Sequence, residues 1–423
     1  MAEQLPETLG DVAEIVMGQS PAGETCNRKG IGVPLLNGPT EFGSHHPLAT
    51  QFTVDPRKHS QAGDILFCVR GSTTGRMNWS DRPYAIGRGI AAIRHRGDPE
   101  IQPLVRSIME YNLPSLLQAA TGSTFPNVSA KQLAQIPYPR IDEGEQRRVA
   151  SLFGALDDKI YLNRRTNQTL EAIARALFKD WFVDFGPTRA KMEGRDAYLA
   201  PDLWALFPDR LDDETGLPDG WESESIYDQA EWVNGAAYKN MHFSDAPDAL
   251  PVVKIAELKA GVTDRTQFTN TQLGNKYKID SGELLFSWSG NPDTSIDAFI
   301  WQYGPAWLNQ HIFAVRDIGK MSKSQIYCML KAHMPEFAEI ARNKQTTGLG
   351  HVTKADMQRM TICTASRAVR EKFDEIIKPS FDRLVSNLFE SRELVKTRDL
   401  LLPKLMSGEI RLRDAEKIAG EAL

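Results

Sequence analysis

The apolar positions follow two patterns that alternate along the chain. Short runs such as "DILFCVR" (Asp64 to Arg70) and "IAAIRH" (Ile90 to His95) are rich in β-branched and aromatic residues and bounded by Gly, Pro, Ser and Asn, which predicts buried strands. "GELLFSW" (Gly282 to Trp288) and "HIFAVR" (His311 to Arg316) show the same signature further on. The spacing then changes to that of a helix. Val149, Leu152, Phe153, Leu156 and Ile160 fall on one helical face, and Leu170, Ala174, Leu177 and Trp181 continue the stripe. Asp142, with Glu145 three residues later, predicts the N-cap, and Gly186-Pro187 predicts the stop. An unbroken helix over that stretch would be about 60 Å long. A second helical stretch runs from about Val369 to Met406 with Phe381, Leu384, Leu388, Leu394, Leu401 and Leu405 on its apolar face, and Pro379 predicts a break in its early turns.

The two strand regions and the two helical regions are copies of each other. "LGDVAEIVMG" from Leu9 resembles "IYDQAEWVNG" from Ile226, and "VPLL" at Val33 matches "LPVV" at Leu250. "GDILF" at Gly63 matches "GELLF" at Gly282, and "AAIR" at Ala91 matches "FAVR" at Phe313. The segment from Thr121 matches that around Thr347, and Ile160, Asn163, Leu170 and Leu177 match Leu384, Asn387, Leu394 and Leu401. The matches keep their order while their offset grows slowly, as a few loop insertions would make it. They indicate a tandem duplication of about 220 residues, far above solenoid repeat lengths.

The expected fold class is therefore α+β: two tandem, mixed, mostly β domains separated by a pair of long helices, with an internal repeat. The expected boundaries are residues 1–141, a helical region 142–187, a connector 188–225, a second β domain 226–365, a second helical region 366–410 and a tail 411–423. A long helix with one apolar stripe must bury it, and two in one chain can bury theirs against each other. The expected seam is Leu156, Ile160, Asn163, Leu170, Leu177 and Trp181 against Leu384, Asn387, Leu394, Leu401 and Leu405. Its two asparagines would cost stability and fix register.

Charge changes the picture only when it is located. The chain has 50 Lys+Arg and 55 Asp+Glu, a net −5, which at face value argues against a nucleic-acid partner. Asp196 to Glu224 alone holds nine carboxylates (Asp196, Asp202, Asp209, Asp212, Asp213, Glu214, Asp219, Glu222 and Glu224) against Arg210, a net −8 that leaves the rest of the chain at +3. Trp204, Phe207 and Trp221 predict that this connector packs on the body.

Cys26, Cys68, Cys328 and Cys363 are scattered without a C-x-x-C pair, so neither a zinc ribbon nor a disulfide framework is expected. The start lacks a basic and an apolar region, and no run reaches about 18 apolar residues, so a signal peptide and a membrane span are not expected and the expected compartment is the cytoplasm.

Signatures of catalysis are missing. The chain has no phosphate loop, no H-E-x-x-H, no G-x-S-x-G elbow, no adenosylmethionine loop and no N-P-P-Y-type motif. Pro247-Asp248 with Glu257-Leu258-Lys259 formally resembles the metal site of some nucleases, but the first copy carries none of it. The alternative to a binding protein, a stand-alone nuclease or DNA-modifying enzyme, rests on that short pattern alone.

Polar loops at the strand ends are the better candidates for function. "RGSTTGR" (Arg70 to Arg76) offers Arg70, Ser72, Thr73, Thr74 and Arg76, with Asn78 just beyond; its counterpart offers Ser287, Ser289 and Asn291. Arg can read guanine bidentately and Ser/Thr can hold phosphate. "TGSTFPNVSAK" offers Ser123, Thr124, Asn127 and Lys131 at a helix start, and its counterpart offers Lys344, Thr346, Thr347 and Lys354. Lys239 and Asn240 complete the set of expected DNA contacts.

"LGDVAEIVMGQSP", "GDILFCVRGS", "TGSTFPNVSAKQLAQIPYPRIDEGEQRRVASLFGALDDKI", "ALFKDWF" and "RDLLLPKLMSGEI" together resemble the specificity subunit of type I restriction–modification systems, from about Leu9 to Ile410. The resemblance implies two target-recognition domains, each reading one half of a bipartite, asymmetric site in double-stranded DNA, with the two helical regions paired antiparallel as a coiled-coil spacer about a pseudo-twofold. It implies two methyltransferase subunits and restriction/translocase subunits as partners. S-adenosylmethionine and ATP/Mg²⁺ would belong to those partners, so no catalytic residue, cofactor or metal is expected in this chain. The second copy departs most, with "MTICTAS" where the first has "IPYPRID".

Overall fold

The computed structural model describes residues 6–43, 45–120, 126–345, 349–407 and 409–422. The chain forms two compact units: unit 1 is Met1–Leu162 with Glu390–Leu423, and unit 2 is Asn163–Phe389.

Unit 1 opens with α1 (Leu9–Val12) and the strands β1 (Ala13–Met17), β2 (Cys26–Asn27), β3 (Val33–Leu36), β4 (Gln51–Thr53), β5 (Ile65–Cys68), β6 (Met77–Trp79), β7 (Ala85–Ile86) and β8 (Ile90–His95). Helices α2 (Gln102–Gln118) and α3 (Ala130–Ala134) follow. The strands build two sheets, β1-β8-β5-β6 and β2-β4-β3-β7. The first is antiparallel, with Ile65 opposite Ile93 and Phe67 opposite Ala91; the second holds one parallel pair, β3 with β7.

The continuous apolar run of β5 has a direct cause, because both faces of its sheet are covered. Ile65 and Phe67 point with Ala91 and Ile93 into a core shared with Leu104, Val105 and Ile108 of α2. Leu66, Ile90 and Ala92 point the other way, onto Leu36, Tyr84 and Ile86 of the smaller sheet. The period of two along a strand sends alternate residues to the two cores.

Beyond α4 (Glu143–Phe182), α5 (Gly186–Met192) and α6 (Pro201–Trp204), unit 2 repeats this design. Its strands are β9 (Glu222–Ser225), β10 (Glu231–Asn234), β11 (Leu250–Val253), β12 (Phe268–Thr269), β13 (Lys278–Ile279), β14 (Leu284–Ser287), β15 (Ser289–Gly290), β16 (Asp297–Ile300), β17 (Ala306–Leu308), β18 (Ile312–Arg316), β19 (Gly350–His351) and β20 (Thr361–Thr364). Its helices are α7 (Ile255–Ala260), α8 (Lys323–Ala332), α9 (Met334–Asn343) and α10 (Lys354–Arg359), before α11 (Arg367–Met406) and α12 (Leu412–Ala422). The order β10-β18-β14-β16 copies β1-β8-β5-β6, and the parallel pair β11 with β17 copies β3 with β7. Leu284 and Phe286 face one core, and Leu285, Ile312 and Ala314 face the other.

Each long helix is 40 residues. Asp142 caps α4, its Oδ1 accepting the Glu145 N–H at 2.9 Å. In unit 1, Val149, Phe153, Leu156 and Ile160 of α4 share a core with Leu394, Leu401 and Leu402 of α11 and with Leu412, Ala415 and Ala419 of α12. In unit 2, Phe178, Trp181 and Phe182 share a core with Val369, Phe373, Ile377, Phe381 and Leu384. The start of one helix meets the end of the other each time, so the pairing is antiparallel. Of the expected seam, Leu156, Ile160, Asn163, Trp181, Leu384, Asn387, Leu394 and Leu401 are buried, while Leu170, Leu177 and Leu405 are partly so. Asn387 Nδ2 donates to Asn167 Oδ1 at 2.8 Å, and Asn167 Nδ2 donates to the Leu384 carbonyl at 3.1 Å. Asn167, one turn beyond Asn163, was not in the expected seam.

Two expectations about helix ends are corrected. Pro379 does not break α11, which runs unbroken from Arg367 to Met406. Proline removes one helical hydrogen bond, but Pro379 and Glu375, whose carbonyl loses its partner, are exposed, so water can satisfy that oxygen. Gly186-Pro187 does not cap α4 either; it opens α5, with Pro187 in the first turn. The turn is made by Phe185 in the left-handed region at φ 54°, held there with its ring against Trp221.

The connector packs as its aromatics predicted. Phe207 stands edge-on to Trp181 at 5.0 Å, and Trp221 lies against Phe182. Its last residues form β9, which pairs with β20. Among the described residues, no helix is long and apolar enough to cross a membrane.

Candidate nucleic-acid interface

The two polar loops of each copy, distant in sequence, are stitched together at the end of the central strand. In unit 1 the Val69 carbonyl, just past β5, accepts the Val128 N–H at 3.0 Å, and Arg70 forms an antiparallel bridge with Asn127. The Thr74 hydroxyl lies 2.8 Å from the Gly71 carbonyl and 2.9 Å from the Pro126 carbonyl. The loop between β5 and β6 is tight: Gly75 donates its N–H to Cys68 and Cys68 donates to Arg76, each at 2.9 Å. Gly75 takes φ 95°, and a Cβ there would stand 2.7 Å from Leu113 Cδ1, so this turn requires glycine.

Unit 2 builds the same frame from equivalent positions. The Trp288 carbonyl accepts the Val352 N–H at 2.8 Å, and β15 pairs with β19, Ser289 opposite His351. Gly290 takes φ 119°, where a Cβ would meet Ser295 at 2.6 Å.

The frames differ in charge. Arg70, Ser72, Arg76, Asn127 and Lys131 are exposed and Thr73 and Thr74 half-buried. Among the described residues no carboxylate pairs with Arg70, Arg76 or Lys131, so three cations stand free at the rim of unit 1. In unit 2 two of the cations are engaged: Arg342 Nη2 lies 2.7 Å from Asp293 Oδ1, and Lys344 Nζ lies 2.6 Å from Asp356 Oδ1. Burial alone would raise the Asp356 carboxyl, but its bonds to Lys344 and Thr353 outweigh that and hold it below the ordinary range. Asn291 and Lys354 are exposed, with Lys354 Nζ 4.6 Å from the centre of the Tyr227 ring, and Ser289 is half-buried.

Several expected contacts are placed elsewhere. Asn78 is buried, its Nδ2 donating to the Gly43 carbonyl at 3.2 Å and its Oδ1 accepting the Trp79 N–H at 2.7 Å. Ser287 is also fully buried. Both are held inside the domain and present no surface to a ligand. Lys239 and Asn240 are exposed on another loop, where the Lys239 N–H donates to His242 Nδ1 at 3.1 Å. Ser123, Thr124, Thr346 and Thr347 lie outside the described residues. His351, Gln132 and Asp356 were missed; aligning the two copies residue by residue would have placed His351 opposite Asn127.

The other chemistry stays structural. Glu257, from the nuclease-like pattern, is buried and caps α7, accepting the Lys254 N–H at 3.0 Å and the Thr266 hydroxyl at 3.2 Å. Among the described residues no group of acidic, His or Cys side chains could hold a metal ion. Burial pushes the Cys328 and Cys363 thiols up to about 12, far from thiolate reactivity. His45 stacks on Tyr161 at 4.0 Å.

Comparison with known proteins agrees with this duplicated frame. A family model described as the type I restriction modification DNA specificity domain matches residues 6–172 and again 218–364. The chain is 28% identical over 301 residues to the type I restriction enzyme MjaIX specificity subunit of Methanocaldococcus jannaschii, covering 69% of this chain and 65%, just under two thirds, of that relative's own length. It is 25% identical over 409 residues to the type I restriction enzyme HindI specificity subunit of Haemophilus influenzae, covering 84% of this chain and 88% of the relative. The crystal structure of a type I restriction–modification S subunit from M. genitalium shares the fold, with a TM-score of 0.51 and 15% identity over 96% of this chain and 97% of that one. With the family's domain matched twice over most of its length, this chain belongs to the type I restriction modification DNA specificity domain family.

Proposed function

We propose that this chain is the DNA-reading subunit of a type I restriction–modification complex. Each unit reads one half of a bipartite, asymmetric site through its paired loops. The chain also scaffolds two methyltransferase subunits and, with them, restriction/translocase subunits. It carries no catalytic group of its own; S-adenosylmethionine and ATP/Mg²⁺ bind the partners, and the complex works in the cytoplasm. The observation that carries this reading is the same two-loop frame built twice, at Val69–Val128 and at Trp288–Val352.

The physical logic is additive. Specific base contacts contribute about 1–3 kcal/mol each, so one small reader discriminates weakly. Two readers in one chain multiply their discrimination, and the chain between them fixes an unread gap, as dimer spacing does elsewhere. Three free cations in one frame, and in the second only Lys354 beside two ion pairs, supply little phosphate attraction, which leaves much of the affinity to the partners.

The test is reconstitution. The chain with its methyltransferase subunits should methylate a defined set of duplexes, whereas the chain alone with DNA, Mg²⁺ and S-adenosylmethionine should neither cleave nor methylate. Modification or cleavage by the chain alone would overturn the proposal.

A further inference from the structure

Each reader holds a cross-loop tether made by the third residue of the short helix that closes its second loop. In unit 1 this residue is Gln132 of α3. Its Oε1 accepts the Ser129 N–H at 2.9 Å and the Ser129 hydroxyl at 2.8 Å, which caps the helix. Its Nε2 reaches back across the loop to the Ala119 carbonyl at 2.7 Å, immediately past the end of α2. In unit 2 the residue is Asp356 of α10. Its Oδ2 accepts the Thr353 N–H at 2.7 Å and the Thr353 hydroxyl at 2.6 Å, again the cap. Its Oδ1 accepts from Lys344 Nζ at 2.6 Å, immediately past the end of α9.

Capping needs only the contact with Ser129 or Thr353. The bond across the loop is additional, and it recurs at the same place with different chemistry: an amide on a carbonyl in one copy, an ion pair in the other. The geometry is kept while the residues have changed. The tethered segments carry Asn127 and Lys131 in unit 1 and His351 and Lys354 in unit 2, and each is also fastened in its middle, at Val128 and Val352, to the end of the central strand. The segments from Asn127 to Gln132 and from His351 to Asp356, fastened at their middle and cap and tied back to the preceding helix, have lost much of their freedom before any ligand arrives, so ordering them on binding costs less.

We propose that Gln132 and Asp356–Lys344 are positioning residues that set the segments from Asn127 to Gln132 and from His351 to Asp356 of the two readers, and through them the discrimination of each reader's half-site. This rests on the reading of the chain as a two-part DNA reader. Lys344→Met removes the tether of unit 2 and leaves the Asp356 cap in place. Gln132→Glu keeps the acceptor that caps α3 and removes the donor to Ala119. Each variant is assembled with the methyltransferase subunits and assayed on the wild-type site and on duplexes with single base-pair changes in either half. The expected result is that each variant relaxes discrimination by about tenfold per changed base pair in one half only, the two variants in opposite halves. Lys344→Arg restores it. Thermal unfolding of each variant chain separates this from a loss of folding, which would lower activity on every duplex alike. Unchanged discrimination, or equal relaxation of both halves, would overturn the tether. A wild-type complex without any sequence preference would instead remove the two-part reading, and the tether proposal with it.

Discussion

Arg70, Arg76 and Lys131 stand exposed with no acid beside them among the described residues, while Arg342 and Lys344 are spent on Asp293 and Asp356. Free cations at a loop rim are what a phosphate or a guanine edge can use; engaged ones hold the loop. Alanine at Arg70, Arg76 or Lys131 should therefore weaken DNA binding by the assembled complex. For each residue that contacts phosphate, the slope of log affinity against log salt should flatten by about 0.9. Salt titration of binding checks this, and unchanged slopes for all three would place the interface elsewhere. Asn78 should behave differently. Its alanine variant strands the Gly43 carbonyl and should cost about 1–3 kcal/mol of unfolding free energy, measured in denaturant, with no change in salt slope. The sequence pattern of the first loop led to both kinds of residue, because polar side chains near a strand end look alike whether they face solvent or hold a turn. Only the three-dimensional placement separates Asn78 and Ser287 from Arg70 and Ser72.

At the scale of elements, periodicity carried much. The runs around Ile65 and Leu284, the apolar stripe of α4 and the Asp142 cap all follow from residue spacing. What spacing missed is where two elements meet. Asn163 and Asn387 align in the duplication, yet the amide that Asn387 reaches is Asn167. Register between antiparallel helices is set by packing along both, which one helix's pattern does not contain. Pro379 failed as a breaker because its lost hydrogen bond lies on a solvated face. The asparagine pair makes an element-scale prediction. Asn387→Leu alone leaves the buried Asn167 amide with an unmet acceptor and should destabilise the chain by about 1–3 kcal/mol. Asn387→Leu with Asn167→Leu removes both polar groups and should recover most of that loss. A double-mutant cycle in denaturant reads the coupling directly, and strictly additive losses would show that the two amides act independently.

For the whole molecule, the location of the charge removes the objection that an acidic chain raises to the proposed DNA-reading role. The negative excess sits in the connector from Asp196 to Glu224, with Phe207 and Trp221 buried and its carboxylates mostly facing solvent. Both recognition frames lie outside it. Half-site identity was never legible in the sequence, since it depends on loop geometry that no periodicity encodes. The central claim, that two unlike readers in one chain share one DNA site, is tested most directly by methylome sequencing of cells that carry this chain with its methyltransferase subunits. The account predicts a split, asymmetric motif: two short specific blocks separated by a fixed number of unread base pairs. A single continuous motif, or a palindromic one, would contradict it.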